Sequence, residues 1–191
     1  MAVLALVAGI AVAWGAASRV AATIASGGTA EEGVRSVFSA EPGADDGELG
    51  GRGVSVFDDV PAVSRLDPAL RAAVRQAAAD ARDDGVTFTL NSGWRSARLQ
   101  QQLLDEAVAE YGSPEEAARW VATPETSAHV TGDAVDLGGW DATAWLSQHG
   151  ASYGLCQTYA NERWHFELRP QAVTEGCPEP YLDPTHDPRL H

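Results

Sequence analysis

Leu70, Val74, Ala77, Ala78 and Ala81 recur at the spacing that gathers side chains on one face of a helix. Asp67-Pro68 ahead of them supplies an N-cap followed by proline at the first helical position. Gly85 stands where a C-terminal glycine belongs, so the pattern predicts a helix over 68–84. The period then changes. Val86 to Leu90 is β-branched and aromatic and predicts a strand. Helices are predicted over 97–110 and 114–121, divided by Gly112-Ser113-Pro114, and a short strand over Ala134–Leu137. Asp141 opens another predicted helix that closes at Gly150, and 154–157 and 163–168 read as further strands. Helices lead and short strands follow, which favours an α+β domain over a doubly wound sheet.

The flanks have a different texture. From Ala2 to Ala17 every residue is apolar or small, and Arg19 is the first charge. Such a run is long for the roughly 7–15 residues of an export-signal core. It is also short of the about 20 residues of a spanning helix. Residues 1–25 are therefore expected to be a signal peptide or a membrane anchor. Residues 26–53, rich in Gly, Ala, Ser, Asp and Glu, are expected to form a flexible acidic linker. The folded domain is expected over 54–182, with a loose tail over 183–191.

Charge narrows the choice of partner. Thirteen basic residues face 27 acidic ones, for a formal net charge of −14. That balance disfavours nucleic acid, whose phosphates need a basic face. It also gives no reason to expect adhesion to anionic lipid. Cys156 and Cys177 lack the close spacing of a zinc-thiolate site. In an exported chain such a pair is expected to form one disulfide, tethering the C-terminal tail to the domain.

Two of the five histidines sit in dense polar contexts. One is Ser127-Ala-His129-Val-Thr-Gly132-Asp-Ala-Val-Asp136-Leu, and the other is Glu162-Arg-Trp-His165-Phe-Glu167-Leu. A lone histidine is ordinarily a core or surface residue, but here two imidazoles and a carboxylate offer the three protein ligands of a catalytic zinc site. A base must still take the proton of the attacking water, and Glu162 is the candidate. Strict strand alternation would turn Glu162 and His165 apart, so a bend at the strand start is required. Arg95, in Asn91-Ser-Gly-Trp94-Arg95-Ser directly after a strand, is the candidate for neutralising an oxyanion. Trp164 and Phe166 read as packing residues. Glu167 reads equally well as a residue orienting a ligand histidine or as a solvated strand position.

The segments SGWRS, SAHVTGDAVDL and ERWHFEL together resemble the motifs of the VanY-type zinc D-alanyl-D-alanine carboxypeptidases, within the LAS metallopeptidases. The resemblance spans about residues 54–170, and Trp94, where relatives usually have tyrosine, is a small departure. It implies helices packed on a small, mainly antiparallel sheet of the hedgehog/DD-peptidase type. It also implies Zn2+ on His129, Asp136 and His165, with Glu162 as base and Arg95 on the substrate carbonyl. By the same resemblance Gln100 helps hold the terminal carboxylate and Ser127 lies close to the substrate. The expected activity is removal of the terminal D-Ala from peptidoglycan stem peptides, outside the cytoplasm, by a secreted or membrane-anchored enzyme. The motifs define the metal chemistry better than the pocket. An LAS-type endopeptidase, dipeptidase or LD-carboxypeptidase therefore stays open as an alternative, as does a non-catalytic wall-binding domain.

Overall fold

The computed structural model describes residues 41–190, so the apolar run of 1–25 and the first part of the acidic stretch lie outside the described residues. Five short strands form one sheet: β1 (Val54–Ser55), β2 (Thr89–Ser92), β3 (Ala134–Gly138), β4 (Leu155–Gln157) and β5 (His165–Leu168). Their order is β1-β2-β3-β5-β4, and every neighbouring pair is antiparallel. The helices are α1 (Pro61–Ser64), α2 (Pro68–Asp83), α3 (Ala97–Tyr111), α4 (Pro114–Ala117), α5 (Ala128–Thr131), α6 (Trp140–His149) and α7 (Ala172–Glu175). The α+β expectation holds, with helices on a small antiparallel sheet. None of the described helices is long and apolar enough to cross a membrane.

α2 starts where the Asp67 carboxylate accepts from the backbone N–H groups of Ala69 (2.8 Å) and Leu70 (3.1 Å), satisfying donors the helix itself leaves free. Its stripe of Leu70, Val74, Ala77, Ala78 and Ala81 is buried. The three alanines keep that face narrow, so α2 packs closely with Leu90, Val135, Leu137 and Phe166 in the core. On β3 and β5 the residues between these, Asp136, His165 and Glu167, point by strand alternation to the other face of the sheet. One face of the sheet carries the core and the other is free for chemistry.

Several boundaries differ from the sequence pattern. β2 begins at Thr89 rather than at Val86. The helix expected over 114–121 stops at Ala117, where the chain turns so that Trp120 stacks on Tyr111 of α3, ring centroids 5.8 Å apart. Residues 43–53, expected to be linker, lie against the domain. Asp46 accepts from Ser96 Oγ (2.7 Å) and pairs with Arg98, fastening this segment to the first turn of α3. The tail expected to be loose is also docked over 183–190, because Asp183 and Asp187 are buried among hydrogen-bonding partners. Cys156 and Cys177 form a disulfide, their Cα atoms 5.5 Å apart.

Candidate metal centre and active site

Sheet register does most of the assembly. Asp136 of β3 is the cross-strand partner of His165 of β5, so their side chains stand side by side on one face. On the other side, β2 carries a bulge between Leu90 and Ser92 that brings Ser92 opposite Asp136. A bulge re-aims the chain that follows it. Here Gly93 comes so close to α1 that a Cβ would lie 2.2 Å from the Ala62 carbonyl, which only glycine permits. The Gly93 carbonyl then accepts from His129 Nδ1 (2.8 Å), leaving Nε2 of that ring 3.4 Å from Asp136 Oδ1. His129 itself lies on the single turn of α5, stopped by Gly132 in the left-handed conformation (φ 83°).

The potential ligand atoms of His129, Asp136 and His165, all three buried, lie within 4.8 Å of one another. His165 Nδ1 faces Asp136 Oδ1 at 3.3 Å, while its Nε2 donates to Glu167 Oε1 at 3.3 Å. Each imidazole thus has one nitrogen held by an oxygen behind it and the other turned into the cluster, the usual way of orienting a histidine ligand. Glu162 is in the turn before β5, where the His165 N–H donates to the Glu162 carbonyl (3.1 Å). That turn is the bend the alternation argument required. It brings Glu162 Oε2 to 3.7 Å from His165 Nδ1.

Arg95 lies across the cluster, donating from Nη2 to Asp136 Oδ2 (2.8 Å), from Nη1 to Gln100 Oε1 (3.0 Å) and from Nε to Ser92 Oγ (2.6 Å). Gln100 is fully buried and also donates from Nε2 to the Ala122 carbonyl (2.8 Å). Its amide is thereby spent mainly on holding Arg95, with a single N–H left for any ligand. Ser127 is buried in the wall of the same cavity, which has a volume of about 400 Å³. Trp164, expected in the core, is 42% exposed and lines this cavity, while Phe166 beside it is in the core. Trp164 precedes β5, in the turn that also carries Glu162, so the strand's alternation does not place it with Phe166.

The electrostatics suit a cation. Burial lowers the His129 pKa, with Arg95 adding to the effect, so its imidazole is neutral and its Nε2 lone pair is available. Burial opposes charge on Asp136, yet His129, His165 and Arg95 outweigh it and hold the carboxyl well below its ordinary range. Burial would lower His165 too, but hydrogen bonds to Asp136 and Glu167 raise it to about 9. The cluster therefore draws positive charge to the spot its three ligand atoms enclose. Burial pushes Glu162 up to about 7, and its Oε1 is buried with no hydrogen-bond partner. Two imidazoles and a carboxylate, with an acid beside them that has one oxygen unpartnered, match the donor set and open side of a catalytic zinc site.

Sequence reasoning missed Tyr159, whose ring lies against His165 (centroids 5.0 Å apart), and the tail residues Asp187 and Arg189 behind it. Their signal was local: Asp183-Pro184 and Asp187-Pro188 repeat the Asp-Pro helix start of α2.

A family model described as D-alanyl-D-alanine carboxypeptidase, VanY, matches residues 63–171. A D-alanyl-D-alanine carboxypeptidase of Enterococcus faecalis (strain ATCC 700802 / V583) is 33% identical, with 54% of this chain and 50% of the relative covered. The chain thus spans half the length of that curated relative. Among solved structures, VanYB in complex with D-alanine-D-alanine is similar with a TM-score of 0.54 and 27% identity, over 59% of this chain and 78% of that one. A vancomycin-resistance D,D-pentapeptidase VanY mutant from a VanB-type cassette, in complex with Zn(II), gives 0.56 and 25%, over 68% and 90%.

Proposed function

Because the chain belongs to the VanY family of D-alanyl-D-alanine carboxypeptidases, we propose that it is a zinc-dependent carboxypeptidase removing the terminal D-Ala from peptidoglycan stem peptides. The observation that carries this reading is the convergence of buried His129, Asp136 and His165 with Glu162, whose Oε1 has no hydrogen-bond partner, in one cavity within the family's matched span. The VanY relative with Zn(II) and the VanYB complex with D-alanine-D-alanine support the choice of metal and of peptide end. The Cys156–Cys177 disulfide supports an extracytoplasmic site of action.

His129, Asp136 and His165 would hold the zinc, which when bound supplies Lewis-acid polarisation of the scissile carbonyl and of the attacking water. Glu162 takes the proton of that water and returns it to the amine of the departing D-alanine. A carboxylate with a pKa near 7 is suited to both transfers. A nearby cation will lower that value, which favours the base form. Arg95 borders the cavity with its guanidinium fixed at three points, and it offers positive charge for the developing oxyanion without having to reorganise. Gln100 serves the substrate through Arg95, and Ser127 lines the wall where the peptide lies.

The test is D-alanine release from synthetic stem peptides, with and without Zn(II). Zinc-dependent release from a pentapeptide ending in D-Ala-D-Ala, with none from the tetra- or tripeptide, is the expected result. Zinc binding without release from the pentapeptide would refute the carboxypeptidase assignment while leaving the metal centre standing.

A further inference from the structure

The C-terminal segment ends directly behind one of the three metal-facing side chains. It runs beside residues 158–161, where the Tyr181 N–H donates to the Thr158 carbonyl (2.9 Å) and the Ala160 N–H to the Tyr181 carbonyl (2.7 Å). Beyond that ladder, Asp187 and Arg189 reach the two groups that grip the His165 ring. Tyr159 packs on the ring and donates from its hydroxyl to Asp187 Oδ2 (3.1 Å). Glu167, which accepts from His165 Nε2, is held by the Arg189 fork: Nη1 to Oε2 at 2.7 Å and Nη2 to Oε1 at 3.3 Å. Arg189 Nε meanwhile donates to Asp187 Oδ1 (2.9 Å), closing the circuit.

We propose that the C-terminal segment is a strap that positions His165 for the metal, Arg189 acting through Glu167 and Asp187 acting through Tyr159. The inference rests on the zinc reading and names residues outside the matched family span, which ends at residue 171. Geometry separates this role from simple charge neutralisation. Arg169 also reaches Glu167, from Nη2 to Oε2 at 3.0 Å, so the carboxylate keeps a cationic neighbour without Arg189. Only the Arg189 fork engages both oxygens, and a two-point contact fixes the plane of a carboxylate where a one-point contact leaves it free to turn. With that plane fixed, Oε1 faces His165 Nε2, the imidazole carries its proton there, and Nδ1 is the nitrogen turned toward Asp136.

The experiment measures Zn(II) dissociation constants on the full chain by competition with a chromophoric chelator. Visible absorption of the Co(II)-loaded protein reports ligand geometry independently of turnover. Arg189→Ala is expected to bind Zn(II) roughly 10- to 100-fold more weakly and to alter the cobalt spectrum. Arg119→Ala is the comparator. It removes the Nε contact to Asp183 (3.1 Å), and so loosens the tail at a point that does not touch Glu167 or Tyr159. It is expected to leave zinc affinity unchanged. Equal weakening by both substitutions, or unchanged affinity in Arg189→Ala, overturns the strap. Should Arg189→Ala not fold, Arg189→Lys carries the test, since it keeps the charge and loses the fork. Several-fold weaker binding then upholds the proposal, and affinity equal to the unsubstituted chain overturns it. An unsubstituted chain that binds no Zn(II) overturns the zinc reading and the strap together.

Discussion

Glu162 is the residue whose two properties pull apart most cleanly, because it borders the cluster without being one of its three enclosing groups. Glu162→Gln keeps the shape and removes only the exchangeable charge. It is expected to lower kcat/KM for the pentapeptide by roughly 10²–10⁴-fold while Zn(II) still binds stoichiometrically. Retained turnover in a zinc-loaded Gln variant would remove Glu162 as the base. The chemistry-bearing residues could be picked out from the sequence because so few side-chain types can bind zinc or move protons, and these stand in two short dense runs. Partnership was harder to see. Gln100 and Arg95 lie one turn of chain apart in any reading, yet only the fold reveals that the Gln100 amide is taken up by Arg95 and the Ala122 carbonyl. Trp164 reads as core because tryptophan is usually well buried, but it falls in the turn before β5 and is exposed there.

At the scale of elements, helices with caps and long apolar stripes were readable, and short strands only approximately. α2 emerges within a residue of its predicted end because Asp67, Pro68 and the Leu70–Ala81 stripe all act locally. The start of β2 depends instead on pairing with β3, and its bulge depends on how Gly93 passes α1, neither of which is a local property. The Cys156–Cys177 bridge is the other long-range element. It ties β4 to the segment after α7, with a sequence separation of 21. Closing a loop of this length is expected to stabilise the fold by about 3 kcal/mol through the unfolded chain. Cys177 is at the surface, so Cys177→Ser breaks the bridge without opening a core cavity. Urea unfolding should show that loss as a lower midpoint with little change in slope. An unchanged midpoint would mean that the bridge does not form in solution.

Across the whole described molecule, the two peripheral segments expected to be unstructured are each fastened by a carboxylate of depressed pKa. The ties to the domain were illegible in the sequence because Ser96 lies 50 positions from Asp46 and Arg119 lies 64 positions from Asp183, although Asp183 also has the local partners Thr185 and His186. Hydrogen bonds from Ser96 and Arg98 lower Asp46 to about 2. Burial works against the charge on Asp183, but Thr185, His186 and Arg119 outweigh it and bring it to about 2. An aspartate in an unfolded chain titrates near 3.9. The folded form therefore binds these two protons less readily than the unfolded form does. The stability they contribute is fully present above about pH 4 and is lost as pH falls toward 2. The net charge of −14 acts in the opposite sense, since acidification from neutrality first relieves repulsion among the 27 acidic residues. The melting temperature is thus expected to hold or rise slightly toward pH 5 and to fall steeply below pH 4. Asp183→Asn should lower it at pH 7 and flatten the acid limb, because the variant has already lost what acid removes. The Asp46→Asn chain should do the same more weakly, Asp46 being the less buried of the two and its attraction to Arg98 better screened by water. Melting curves from pH 7 to 2.5 that stay parallel for both variants and the unsubstituted chain would show that these carboxylates do not hold the ends down.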